Sequence, residues 1–576
     1  EIQMLRPRDI EKIEYHDAPS GKYAKDKLVV NFITKQYRYG GYVQADGLQT
    51  IGYDHGDYNV ATNYVKGNNS YTVFAGANYS HVDGTETWNN ENYQFPQSLF
   101  DRESYSKNSY RNHQEYMQFR YQNQKGKRYW VGKFTLVNLS TPRNASSGFA
   151  KESTETDVFS NIRKKSLSPK IDLNANLPLS KNQTLTLGVH GKYSANSYHR
   201  LYQEQPFEAM TDEDEKALSF QLSAIYNYFS QKHSLSVELF HYHDVWNADY
   251  SGNCELWQHL WKGESLAFFS YNFQASRRLS LKTRIGLDWL QYHLHGDNSF
   301  SQLSPRINTN VQYQLNKGML LWSFNFVNSN HGMDVINRAM IQVNSHMMEK
   351  GMPELKKSHD INTYLYYMGR FNRLSVSAIG QFRYNHHPVT DDYYLDEANG
   401  KIVKTYSNGG NAQYYSAILA LQYKLCKFAN LSGDIRYNHA EVKTTWSKHN
   451  NNLTGNLGLN MFMGDFALKP YLHFGKKSLD EAALVISKTP IDYGMSCSYS
   501  RGNLYVELQA VSPFKKQEKR YWLDLPIYSY SKSIKDQTAS QYASIKVAYS
   551  FDFGRKTQKV EKDVNKNINS SLLRVE

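Results

Sequence analysis

The sequence predicts an all-β protein, a transmembrane antiparallel β-barrel of about 22 strands. Three observations point there. Apolar and polar residues alternate along most of the chain: Ile171, Leu173, Ala175, Leu177 and Leu179 interleave with Asp172, Asn174, Asn176 and Pro178. The alternating stretches are joined in turn by very short and by long connections. No run of about 18 apolar residues occurs, so no helix is expected to cross a membrane. A period of two puts each residue set on one face of a strand. One face is apolar and aromatic and the other polar, as a ring with lipid outside and water inside requires.

In chain order, Glu1–Gln36 comes first, with short apolar runs set among Asp, Pro and Gly and no barrel-length strand. Strands follow at Tyr42–Gln49, Gly56–Val65, Tyr71–Val82, Ser109–Asn123, Tyr129–Ser140, Ser166–Leu179, Thr184–Asn196, Ala217–Phe229 and Ser234–Val245. They continue at Gly263–Gln274, Leu279–His295, Pro305–Leu315, Met319–Asn328, Asn362–Gly369, Leu374–Asn385, Asn411–Leu425 and Ala429–Trp446. The last are Asn452–Phe462, Ala467–Phe474, Asp492–Ser500, Leu504–Val511 and Gln541–Phe553. Tight turns separate alternate pairs, for example Lys66–Ser70, Gln124–Arg128, Ser180–Gln183, Ala275–Arg278 and Arg501–Asn503, each placed as a hairpin turn should be. The other connections are long and rich in Asn, Asp, Ser, Glu and Tyr: His81–Lys107, Ser194–Lys216, Asn330–His359, Asn385–Gly410 and Ser512–Gln541. Short turns on a periplasmic rim and long loops on an extracellular rim are the usual asymmetry of such barrels. The chain therefore divides into residues 1–36, a barrel over 37–554, and a polar tail over 555–576 expected to extend into the periplasm. A ring this wide has a lumen that its own side chains cannot fill, so something else must plug it.

Composition agrees with this reading. Of 576 residues, 14% are aromatic, with 46 Tyr and 9 Trp, which suits interfacial girdles. Trp289, Trp322, Trp446, Tyr226, Tyr228 and Tyr549 are assigned to them. A soluble propeller or sandwich is the competing all-β class, but predicted strands long enough for a span of about 9–11 residues favour the membrane. The formal charge of +13 is spread over polar faces and turns, which fits a wetted lumen and rim rather than a nucleic-acid partner. Cys254, Cys426 and Cys497 are far apart, odd in number and without metal-ligand spacing, so no disulfide framework is expected. Without a nucleophile elbow, phosphate-binding Gly loop or Ser/His/Asp spacing, neither an enzyme nor a cofactor is expected. Glu1 is not an initiator Met and no signal peptide is visible, so the chain is expected to be a fragment or a processed product.

Three stretches carry a family resemblance. Asp9-Ile10-Glu11-Lys12-Ile13-Glu14-Tyr15, then Pro19-Ser20-Gly21-Lys22-Tyr23, then Val30-Asn31-Phe32-Ile33-Thr34-Lys35 resemble the end of the plug domain of TonB-dependent outer-membrane receptors. Gly351-Met352-Pro353-Glu354-Leu355-Lys356-Lys357-Ser358 is similar to a loop of the same receptors, especially the outer-membrane β-barrel branch common in Bacteroidetes. Tyr549-Ser550-Phe551-Asp552-Phe553-Gly554 is similar to that branch's last strand. The resemblance implies a receptor in the Gram-negative outer membrane with only the C-terminal end of its plug in this sequence. It implies uptake of a scarce extracellular ligand (siderophore, haem, vitamin, peptide or glycan) and energy from an inner-membrane TonB complex. A surface lipoprotein partner is a lesser expectation, because the glycan-importing members that use one are usually longer. A non-transporting surface binding, adhesion or assembly protein on the same barrel is the alternative.

Candidate site residues follow from the strand pattern. Lys192, Glu238, Lys282, Arg284, Asp288 and Lys546 fall on the face assigned to the lumen, where charge tunes selectivity or docks a plug. Trp88, Tyr393 and Tyr394 fall in long connections, where aromatic tips suit ligand contact. The acidic stretch with Asp212 and Asp214 offers carboxylate oxygens of the kind Ca²⁺ prefers, though without dedicated loop spacing. His241 and His243 share a strand face and offer two ligands to a metal or haem iron. No third ligand is identifiable for either.

Overall fold

The computed structural model describes residues 10–16, 29–34, 39–96, 98–297, 299–329, 332–514, 516–536, 541–554, 564–568 and 570. Twenty-two antiparallel strands, from Tyr39–Ile51 to Tyr542–Gly554, close into a single barrel. Closure is made by the first strand, which pairs with the last through Tyr42↔Asp552 and Gln44↔Ser550. Ahead of the barrel, Ile10–His16 and Val29–Thr34 form a separate antiparallel pair in which Ile13 faces Phe32 and Glu14 faces Asn31. That pair holds Ile10, Glu11, Ile13, Glu14, Asn31, Ile33 and Thr34 of the plug-end motif; Asp9, Pro19, Ser20, Gly21, Tyr23 and Lys35 lie outside the described residues.

The period-two pattern sorts the wall. On Leu279–Leu294, Ile285, Leu287 and Trp289 are outward and about half exposed, while Asp288 between them is fully buried toward the lumen. On Ser447–Met463, Leu453 and Leu457 are exposed outward and alternate with Asn452, Thr454 and Asn456. Trp289, Trp322 and Tyr549 point outward as girdle residues should. Trp446 does not: its indole N–H donates to Asp392 and it packs inside the extracellular end.

The long connections differ from the sequence expectation in two ways. His81–Lys107 and Ser194–Lys216 are largely strand: the wall strands Asn69–Phe95 through Phe207–Phe229 are 22 to 28 residues long, more than twice a membrane span of about 9–11 residues. Beyond the lipid both faces of a strand meet water or protein, so the apolar alternation ends while the backbone ladder continues. Exposed Arg163 and Lys165, and likewise Asp214 and Lys216, mark where the outward face has left hydrocarbon. A second tier of wall comes from two hairpins, Lys476–Asp480 with Val485–Thr489 and Glu518–Asp524 with Tyr528–Lys535. They pair with one another, and Tyr528–Lys535 joins the extended strand Asn69–Phe95.

The described part of Asn330–His359, residues 332–359, and Asn385–Gly410, by contrast, fold inward. Together they make a four-stranded sheet in the order Met340–Gln342, Met347–Lys350, Lys401–Ser407, Thr390–Asp396. Its two central strands, Met347–Lys350 and Lys401–Ser407, run parallel. This sheet sits as a lid in the end of the barrel opposite the short turns.

Candidate functional site

The lid packs directly against the wall around it. Met347, Tyr393 and Ile402 pack against wall residues Tyr93, Val442, Leu484, Leu523 and Tyr528. At the other edge, Ala339 and Ile341 pack against Ala248 and Tyr250. The lid thus reaches from the strand His233–Gly252 across to the second-tier hairpins, bridging the mouth of the ring.

Charged groups fix it in place. Arg102, 5% exposed, donates to Glu91 at 2.8 Å, and to Glu204 and the Tyr202 hydroxyl at 3.0 Å each. Glu91 also accepts from the hydroxyls of Tyr93 at 2.9 Å and Tyr528 at 2.8 Å. The lid turn closes on this hub: Asn344 donates to Tyr93 at 3.0 Å, Ser345 to Glu204 at 3.3 Å, and His346 meets Glu152 at 2.7 Å. Burial opposes the charge on Arg102, but Tyr202, Glu91 and Glu204 hold its guanidinium above the ordinary arginine range. Arg200 donates to the carbonyls of Gln342 and Val343 at 2.7 and 2.6 Å. Within the lid, Lys404 bridges Glu349 and Asp391 at 3.4 Å each. Burial pushes the Asp391 carboxyl up to about 6 despite Lys404.

The Gly351–Ser358 loop anchors the base of the lid. A Cβ at Gly351 would lie 2.1 Å from the Asn337 carbonyl oxygen, so only glycine fits. Pro353 accepts at its carbonyl from Tyr292 at 3.2 Å, and Leu355 is buried against Leu260, Leu290 and Leu294. Lys357 meets Asp288 at 3.1 Å, and Asp288 also accepts from Arg306 at 2.5 Å. Glu354 and Lys356 are exposed.

The structure places the other sequence candidates as follows. Lys192, Glu238, Lys282, Arg284, Asp288 and Lys546 all alternate with outward apolar residues and so face inward. Arg284 pairs with Glu238 at 2.7 Å and lies 3.4 Å over the Phe268 ring; Lys192 stands opposite Lys170 in register. Asp288 is therefore a lid anchor, a role that its sequence neighbourhood does not reveal. Trp88 is on a strand rather than at a loop tip, tilted against Tyr105 with ring centres 4.7 Å apart and with the Lys535 ammonium 4.6 Å from its ring. Tyr393 is buried inside the lid contact, leaving Tyr394, 42% exposed, as the accessible aromatic of the pair.

Asp212 and Asp214 lie on the strand Phe207–Phe229, not in a loop, and point outward; Asp212 pairs with His199 at 2.5 Å. His241 and His243 share the outward parity of Leu239, and they bond Ser265 and the Trp261 indole. They belong to the polar-aromatic exterior. Among the described residues, no three His, Cys, Asp or Glu side chains come together as a metal site. Sequence reasoning missed Arg102, Arg200, Glu91 and Glu204, whose partners lie on separate strands. Glu213, read from the sequence only as part of the acidic stretch, lies inward on the extended part of its strand, where burial and Glu215 push its carboxyl up to about 9.

A closed 22-strand ring with an apolar exterior and a polar inner face defines the class of large outer-membrane barrels. Neither a family model nor a curated protein matches the chain. Solved structures do. The copper transporter OprC superposes with a TM-score of 0.62 at 11% identity, covering 92% of this chain and 83% of that one. The siderophore receptor PirA from Pseudomonas aeruginosa gives 0.56 at 12% identity over 91% and 82%. The FrpB iron transporter from Neisseria meningitidis gives 0.57 at 8% identity over 95% and 88%. The likeness is one of fold.

Proposed function

We propose that this chain is the barrel of a TonB-dependent outer-membrane receptor that imports a scarce small ligand into the periplasm. In this reading it belongs to the Bacteroidetes-type branch, and residues 1–36 are the end of its plug. The observation that carries the proposal is the lid: the chain's own inward-folded sheet packs across one end of a wide ring. Surface display alone does not call for a closed mouth. The plug-end motif, the Gly351–Ser358 loop and the fold shared with metal and siderophore transporters support the same reading. Ligand capture falls to the lid and the rim around it, and exposed Tyr394 is the aromatic that would contribute. Energy from TonB would act through the plug to release cargo inward. No bond in the cargo changes.

The test is uptake by cells. A strain lacking the gene is compared with its complemented parent on labelled ferric siderophores, haem, cobalamin, peptides and glycans, each with and without an intact TonB. One ligand should lose accumulation in both the gene deletion and the TonB deletion. Surface binding that persists without any TonB-dependent accumulation would instead establish the adhesion or assembly alternative.

A further inference from the structure

One part of the lumen is already occupied. Phe74, Tyr116 and Val137 face inward and are 5% exposed or less. In a ring of this width, wall side chains cannot reach one another across the lumen. Part of their cover is the chain's own tail. Val564 and Ile568 pack against this cluster together with Ala61. Lys566 places its ammonium 4.3 Å from the centre of the Tyr116 ring, a cation–π geometry. Lys170, 4% exposed, donates to the carbonyls of Asn565 at 2.5 Å and Asn567 at 2.7 Å. No carboxylate forms an ion pair with Lys170 among the described residues, so two tail carbonyls solvate a nearly buried ammonium. Lys170 is flanked by Ile171 and, two residues further, Leu173, both half-exposed and outward. The contact is thus inside the lumen at the level of the lipid, whereas the sequence pattern predicts a tail that extends into the periplasm.

We infer that the inner wall around Phe74, Tyr116, Val137 and Lys170 is a peptide-binding site, and that the C-terminal segment Val564–Ile568 is its ligand in cis. The site reads an extended segment with apolar side chains four residues apart, a cation midway and two accessible carbonyls. The docked segment acts as a strap that narrows the lumen from the periplasmic side, independently of the lid above. The inference stands on these contacts and does not depend on the transport reading.

The test uses the full chain in outer-membrane vesicles, with Cys254, Cys426 and Cys497 replaced by Ser, carrying Val137→Cys and treated with a water-soluble maleimide. The introduced thiol should be protected, and either Ile568→Asp or Lys170→Met should speed its labelling by about tenfold or more, the factor that about 1.4 kcal/mol of lost docking produces. Chain lacking residues 555–576 should label as fast as those variants. As an independent arm, Val137→Cys combined with Ile568→Cys should cross-link under mild oxidation and shift on a gel. A thiol at position 137 that labels equally fast in all these backgrounds, or a tail thiol that never cross-links to the wall, would overturn the inference.

Discussion

At the scale of single residues, Arg102 decides most. It is one cation among Glu91, Glu204 and the more distant Glu152, and it is nearly buried. A buried ion pair contributes little relative to an apolar replacement of both partners, but removing one partner strands the other's charge in low dielectric. Arg102→Met would leave Glu91 and Glu204 uncompensated and cost about 3–5 kcal/mol. Because Asn344, Ser345 and His346 bond to the same cluster, the loss falls on lid docking before it reaches the lipid-level wall. Hydrogen exchange should show residues 340–350 opening much faster in the variant, with the strand ladder at the periplasmic turns unchanged. Lid amides exchanging at the parental rate would remove Arg102 from this role. The hub is illegible in the sequence because Arg102 and Glu204 are 102 residues apart, and nothing local marks either as a partner.

At the scale of elements, legibility follows the solvent. Where a strand has lipid on one side and water on the other, alternation is forced, and Leu279–Leu294 or Ser447–Met463 can be read directly. Where water or protein lies on both sides, the pattern disappears: Thr211, Glu213 and Glu215 are buried inward while Asp214 is exposed outward, yet all are polar or acidic. The lid strands are 3 to 7 residues long, and the central two pair in parallel across a distant chain segment, so neither length nor spacing announces them. The tail is hidden for another reason, since two apolar residues among asparagines and a lysine look like solvated chain. Within the legible part, side matters more than residue type. Leu287→Arg puts a charge on the lipid face, where it costs about 2–4 kcal/mol near the midplane. Ser280→Arg, on the opposite face of the same strand, keeps its charge in water. Heat-modifiable gel mobility should show lower unfolding temperature for the first and little change for the second; equal effects would contradict the assignment of faces.

At the scale of the whole molecule, three structures share one ring. The wall closes the ring, the lid covers the end opposite the short turns, and the tail lies against part of the inner wall beneath. The ring is what the solved copper, siderophore and iron transport proteins have in common with this chain, at 8% to 12% identity. Such divergence is understandable if the constraint is the face on which apolar residues fall rather than which residues they are. Everything else depends on that ring having hydrocarbon outside and water inside. Spin labels placed singly at each position from Asn452 to Leu459, in protein reconstituted into bilayers, test this most directly. Collision with oxygen should peak at Leu453, Leu457 and Leu459, and collision with a water-soluble nickel complex at Asn452, Thr454 and Asn456. A profile without that two-residue period, or one with the nickel complex reaching every position equally, would contradict the account.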